Sequence, residues 1–300
     1  MGSLASQALQ TGLLCCTRAY NIAPKRAQFI VIIVTMKLYH KHHPHEPDNH
    51  VSSDVSLPII IIPGLFGSTT NWRSFADELR KLGDVYVIDQ RNHGRSPHAK
   101  SHTYEDMVND LMAWCDIMNF DQVNLVGHSM GGKVAMCAAH WHPDRINSLV
   151  VLDIAPVEYS HSHAPFLQAM LELDLSKLES RSAADAQLKG AIPDKATRMF
   201  LLQSLTGSPG GYEWRLNLVA LYEYMPAIIG FPTIESTVPL PTLVVRGSLS
   251  DYVSENAEAQ FRGLFSNFEI VSISNAGHWL HVEQPQAVLA SLRDFYSGLH

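Results

Sequence analysis

Gly127-His128-Ser129-Met130-Gly131-Gly132 lies between the apolar run Gln122-Val123-Asn124-Leu125-Val126 and the run Lys133-Val134-Ala135-Met136-Cys137-Ala138-Ala139. The first run predicts a short buried strand, and the second a helix packed on a sheet. A Gly-x-Ser-x-Gly at such a junction predicts a nucleophile elbow, a turn so sharp that its serine takes a strained backbone conformation. Positions 127 and 131 must stay small, because a side chain there would meet neighbouring backbone. Ser129 is therefore expected at the top of the sheet, beside the positive end of a helix dipole.

Outward from the elbow, the pattern alternates between strand and helix. Pro58-Ile59-Ile60-Ile61-Ile62 is a continuous apolar run, as expected of a strand covered on both faces of a parallel sheet. Pro63-Gly64-Leu65-Phe66-Gly67-Ser68 ends it, and a helix is predicted over 72–81. A strand over 85–88 ending in Asp89, the turn-rich Arg91-Asn92-His93-Gly94-Arg95-Ser96-Pro97 and a helix over 104–118 lead back to the elbow strand. A strand over 148–152 then ends at Asp153. Residues 156–229 break the rhythm; their Leu, Met, Ala and Ser, without a long β-branched run, predict helices inserted as a cap. The alternation resumes with a strand over 242–245, a helix over 253–263 and a strand over 268–272. His278 follows in the loop Asn275-Ala276-Gly277-His278-Trp279, and a helix is expected over 285–296. The expected fold is α/β, a mostly parallel central sheet with helices on both faces and an inserted helical cap. Its parts are an extension and linker (1–50), a core in two pieces (51–155 and 230–300) and the cap (156–229).

Composition narrows the function. The 300 residues are 46% hydrophobic and 17% charged with a formal net charge of −7, ordinary for a globular protein. Mild acidity without a basic stripe argues against a nucleic-acid partner. Cys15, Cys16, Cys115 and Cys137 form no disulfide framework, so a reducing compartment and a cytoplasmic location are expected. Phe29-Ile30-Val31-Ile32-Ile33-Val34 is far short of the roughly 20 residues that span a bilayer, and no membrane partner is expected. Lys25 and Arg26 precede it as in a signal peptide, but no Ala-x-Ala-like site follows. Residues 1–35 are accordingly expected to be an upstream extension without a role in the fold. His40, His42, His43, His45 and His50, with Pro44, Pro47, Asp48 and Asn49, read as a solvated linker rather than a metal site.

Residues just beyond the carboxyl ends of parallel strands share one crevice. Ser129, Asp153, Asp251 and His278 all occupy such positions. A serine hydroxyl is a weak nucleophile until an imidazole takes its proton, and a buried carboxylate keeps that imidazole in one tautomer and stabilises its cation. Ser129 and His278 supply the first two groups; Asp153 and Asp251 both remain able to supply the third. Backbone N–H groups of Leu65 and Met130 are the expected oxyanion donors. His128, His140, His142 and His281 read as surface or packing residues. Arg91, Asn92 and His93 read as a structural loop. Trp214, Leu216 and Leu218 are expected either to line an acyl pocket or to form cap core, with Arg215 and Asn217 fixing the cap.

From about residue 36 onward the chain resembles the α/β-hydrolase superfamily, and within it the group of the bacterial esterase YbfF and its eukaryotic abhydrolase relatives. The likeness is carried by Gly64-Leu65-Phe66-Gly67-Ser68, Asp89-Gln90-Arg91-Asn92-His93-Gly94, Gly127-His128-Ser129-Met130-Gly131-Gly132-Lys133, Asp153-Ile154-Ala155-Pro156-Val157, Glu213-Trp214-Arg215-Leu216-Asn217 and Gly277-His278-Trp279. It implies hydrolysis of small-molecule acyl esters or thioesters with neither metal nor organic cofactor. It also implies that Asp153 is the acid, with Ser250 as an added hydrogen-bond partner. One position departs: the resemblance leads one to expect His-Gly where this chain has Pro63-Gly64, and proline cannot hold the oxyanion loop through its side chain. A carbon–carbon bond hydrolase or haloperoxidase would use the same constellation, and a non-catalytic ligand- or partner-binding protein the same fold.

Overall fold

The computed structural model describes residues 36–47, 55–254 and 257–299. Its strands are β1 (His40–His43), β2 (Ile59–Ile62), β3 (Val85–Ile88), β4 (Val123–His128), β5 (Ile146–Leu152), β6 (Leu205–Ser208), β7 (Gly211–Trp214), β8 (Thr242–Gly247) and β9 (Phe268–Ile273). Among the described residues, seven of these form one sheet in the order β1-β3-β2-β4-β5-β8-β9, parallel except for the β1–β3 pair. Its helices are α1 (Arg73–Leu79), α2 (Tyr104–Ile117), α3 (Met130–Trp141), α4 (Ala164–Leu171), α5 (Arg181–Leu188), α6 (Lys195–Leu201), α7 (Leu218–Glu223), α8 (Met225–Ile229), α9 (Ala257–Leu264), α10 (Leu280–Glu283) and α11 (Pro285–Ser297).

The unbroken apolar run of β2 has a direct cause. Ile60 and Ile62 join one core, with side chains from α2, α3 and α9; Ile59 and Ile61 join the other, with α1 and α11. All four isoleucines are fully buried. At about 1.5–3 kcal/mol for each such side chain, no position on this strand tolerates a polar residue. The α2 helix begins where Thr103 and Asp106 form a reciprocal capping box, which satisfies N–H groups the helix cannot.

Two expectations are corrected. The histidine tract is not a linker at residues 40–43, because β1 pairs antiparallel with β3, His40 opposite Ile88. Aromatic contacts make this edge favourable: His42 stacks on Tyr86 at 4.3 Å, and the Trp114 indole N–H donates to His40 Nδ1 at 3.1 Å. The His43 ring is held by Asp77 at 2.6 Å. Among the described residues no group of three or more His, Cys, Asp or Glu is placed to hold a metal ion. The insertion between β5 and β8 is also not all helical, since β6 and β7 form an antiparallel hairpin beside α4–α8. Leu205-Thr206-Gly207-Ser208 is half exposed and carries neither apolar alternation nor a β-branched run, so it gives no strand signal. The expectations for residues 1–35, and for His50 and its neighbours, lie outside the described residues. Among the described residues no helix is long and apolar enough to cross a membrane.

Candidate active site

The parallel register puts the ends of β4, β5, β8 and β9 on one rim: His128 pairs with Leu152, Leu152 with Val245, and Gly247 with Ile273. Ser129 follows β4 directly, at φ 52° and ψ −123°, and α3 starts at the next residue. The turn is possible only because its flanks lack Cβ atoms. One added at Gly131 would lie 2.1 Å from the Ile62 carbonyl, and one at Gly127 2.4 Å from that of Gly131. Asp153 follows β5 in a second left-handed turn at φ 51°, its N–H bonded to the Val245 carbonyl at 2.8 Å.

These turns bring three side chains together. Ser129 Oγ lies 3.0 Å from His278 Nε2, and His278 Nδ1 lies 2.8 Å from Asp153 Oδ2. The carboxylate is fully buried and accepts from the Gly247 N–H on Oδ1 (2.9 Å) and from the Ser250 hydroxyl on Oδ2. An ionised carboxylate only accepts, so Nδ1 of His278 donates and Nε2 is left to accept the Ser129 proton. Asp251 is exposed and takes no part in this cluster.

Other groups fix the imidazole. Tyr252 stacks on it with ring centroids 3.8 Å apart. The Tyr252 hydroxyl is bonded to His161 at 2.8 Å, and its carbonyl accepts from the Tyr159 hydroxyl at 2.7 Å. The His128 Nε2–H donates to the His278 carbonyl at 2.8 Å, and burial pushes the His128 ring down to about 3, so it stays neutral. Glu283 accepts from the Gly277 N–H at 2.7 Å. Of the four histidines read as surface or packing, His128, His140 and His281 are buried, and His281 stacks on Trp72 at 3.9 Å. Tyr252, Glu283 and the supporting role of His128 have no signal in the sequence, because each depends on contacts across distant loops.

A cavity of about 230 Å³ opens on Ser129 and His278. Its lining includes Leu65 and Phe66, Phe166, Phe200 and Leu201 of the insertion, and Tyr252 and Trp279. Among the described residues its lining includes no Asp, Glu, Lys or Arg. Trp214, Leu216 and Leu218 do not line it; Leu216 and Leu218 are buried in the core that the insertion shares with the sheet. Asn217 does fix the insertion, donating to Asn92 Oδ1 and to the Ala99 carbonyl, both at 3.0 Å. The expected oxyanion loop sits on the serine, since a Cβ at Gly64 would lie 3.0 Å from that of Ser129.

Lys133 is fully buried and reaches both ends of the insertion. Its ammonium donates to the carbonyls of Val157 (2.7 Å), Ile229 (2.8 Å) and Gly230 (2.6 Å). Burial pushes this amine down to about 7.

A mostly parallel sheet with a strained serine turn at its rim, facing a histidine and a buried acid, is the architecture of α/β-hydrolases. Residues 58–285 match the model of the alpha/beta hydrolase fold family, and the chain belongs to that family. It is 37% identical over 249 residues to the "sn-1-specific diacylglycerol lipase ABHD11" of Danio rerio, covering 80% of this chain and 78% of that one. It is 34% identical over 239 residues to "Esterase YbfF" of Escherichia coli K12, covering 79% and 92%. Among solved structures, a "Marine microorganism esterase" superposes with a TM-score of 0.81 at 36% identity, over 87% of this chain and all of that one.

Proposed function

We propose that this chain is a serine hydrolase cleaving neutral, small to medium acyl esters, and more weakly thioesters, through an acyl-enzyme. The observation that carries this reading is the hydrogen-bonded series Ser129–His278–Asp153 opening on an apolar cavity. Ser129 Oγ attacks the acyl carbonyl while His278 Nε2 takes its proton. Asp153 holds the ring and stabilises the imidazolium. The Leu65 and Met130 N–H groups hold the oxyanion, a contribution of about 3–4 kcal/mol for each donor. His278 then protonates the leaving alcohol or thiol, and later activates the water that frees the acid.

The cavity supports the choice of substrate. Its volume of about 230 Å³ is below the roughly 300–1,000 Å³ of drug-sized sites, which favours short and medium acyl chains. A lining without charged side chains leaves an anionic acyl group or a nearby phosphate unpaired, which disfavours dicarboxylates and polyphosphorylated thioesters. The esterase and lipase names of the relatives point to the same reaction class.

The test combines a serine-directed fluorophosphonate probe with a panel of p-nitrophenyl esters, a diacylglycerol emulsion and acyl-CoA thioesters. Wild type should be labelled and should turn over the short and medium esters fastest, while Ser129→Ala does neither. Labelling without turnover of any ester would overturn the reading in favour of a binding protein.

A further inference from the structure

Pro63 offers the oxyanion loop no side-chain hydrogen bond from its own strand end. The loop turns tightly, with the Gly67 N–H bonded to the Gly64 carbonyl at 3.0 Å and Phe66 in a left-handed conformation at φ 67°. The Phe66 N–H donates to Nε2 of His93 at 3.2 Å. His93 is almost fully buried, and its Nδ1 faces the Arg91 carbonyl at 2.9 Å. A carbonyl only accepts, so Nδ1 carries the proton and Nε2 is the bare acceptor that the Phe66 N–H requires.

We propose that His93 is the positioning residue of the oxyanion loop, accepting the Phe66 N–H and thereby setting the direction of the Leu65 N–H one peptide earlier. This rests on the catalytic reading above. Burial pushes the ring down to about 4, which keeps the acceptor available at neutral pH.

The mounting of His93 is itself rigid. Arg91, whose carbonyl orients the ring, is paired through two nitrogens with the buried Asp110 at 2.6 and 2.9 Å. Asn92, at φ 65°, accepts the Ala99 N–H on Oδ1 at 2.7 Å and donates to His102 Nδ1 at 3.3 Å. His102 in turn reaches the Met130 sulfur at 3.4 Å through Nε2. The loop over 91–93 thus bonds the residue after Leu65 directly and, through His102, reaches the side chain of Met130. It also carries the insertion, because the Asn92 carbonyl accepts the Asn217 N–H at 3.0 Å.

The experiment compares wild type with His93→Ala, His93→Leu and His93→Gln, measuring kcat and KM on the best p-nitrophenyl ester and inhibition by a matched trifluoromethyl ketone. That inhibitor becomes a tetrahedral oxyanion on Ser129. Ala and Leu should lower kcat about 10- to 100-fold, less than the roughly 10²–10³ of a donor lost outright because the loop is misdirected rather than removed, with KM within about threefold. Affinity for the ketone should fall in parallel with kcat, and Gln, whose carbonyl can accept, should recover most of both. Imidazole ¹⁵N spectra of the wild type keep the proposal testable if the variants fail to fold: Nε2 of His93 must be unprotonated and coupled to the Phe66 N–H at pH 7. A protonated Nε2, or an unchanged kcat in folded His93→Ala, overturns this proposal while wild-type turnover preserves the catalytic reading. Absent wild-type turnover overturns both.

Discussion

The Ser250 hydroxyl donates to Asp153 Oδ2, the same carboxylate oxygen that faces His278 Nδ1. With the Gly247 N–H on Oδ1, the buried carboxylate receives three donors. Asp153→Asn should therefore leave the imidazole in the wrong tautomer and lower kcat by about 10⁴-fold. Asp251→Asn, at an exposed site, should change kcat little. Ser250→Ala removes one hydrogen bond to a charge and should cost about 1.5–3 kcal/mol of stability, read by denaturant titration. Equal losses in the two asparagine variants would refute the assignment of the acid.

Phe166 and Phe200 line the cavity, whereas Trp214 does not. Phe200→Ala should move the optimum of an ester panel toward longer chains, each accommodated methylene being worth about 1–3 kcal/mol in kcat/KM. Trp214→Ala should leave the ranking of chain lengths as it is. A reversed pattern would place the acyl group elsewhere.

Lys133 ties both ends of the insertion to α3 and is buried as it does so. Its folded pKa, about 7, lies below the roughly 10.4 of a free lysine, so between these values the unfolded chain binds more protons than the folded one. Stability from this residue is smallest below pH 7 and rises with pH through that window, by at most about 1.4 kcal/mol per unit. Urea titrations at pH 6, 7.5 and 9 check the sign: the advantage of wild type over Lys133→Met should grow with pH. An advantage that stays flat from pH 6 to 9 would mean that the three carbonyls hold the ammonium charged.

Arg91 and Asp110 are both buried and joined by two hydrogen bonds. Asp110→Asn removes the carboxylate that takes both hydrogen bonds from the buried guanidinium and should cost about 3–5 kcal/mol. Thermal unfolding measures the loss, and a change of under 1 kcal/mol would mean that Asp106, 3.1 Å from Arg91, carries the pairing instead.

Wherever a feature is written in adjacent residues, the sequence alone was sufficient. The isoleucine run demanded a strand covered on both faces, and Gly127-His128-Ser129-Met130-Gly131 demanded a turn, because close backbone approach excludes any larger residue at positions 127 and 131. The alternation of elements then specified an α/β sheet whose strand ends share a rim. Local patterning failed where the segment is half exposed or makes its contacts at a distance. The β1 edge and the β6–β7 hairpin lack apolar periodicity, and the supporting contacts of His93, His128, Lys133 and Tyr252 follow from loops meeting in space.

Residue types and strand ends left Asp153 and Asp251 open, and the tertiary structure puts Asp153 beside His278. Both follow a strand end, so position along the chain does not separate them, and only the resemblance of the segment over 153–157 favours one. The register of β5 against β8, and the left-handed turn at Asp153, aim one carboxylate at an imidazole 125 residues away and leave the other in solvent. Direction in space arises only when strands pair.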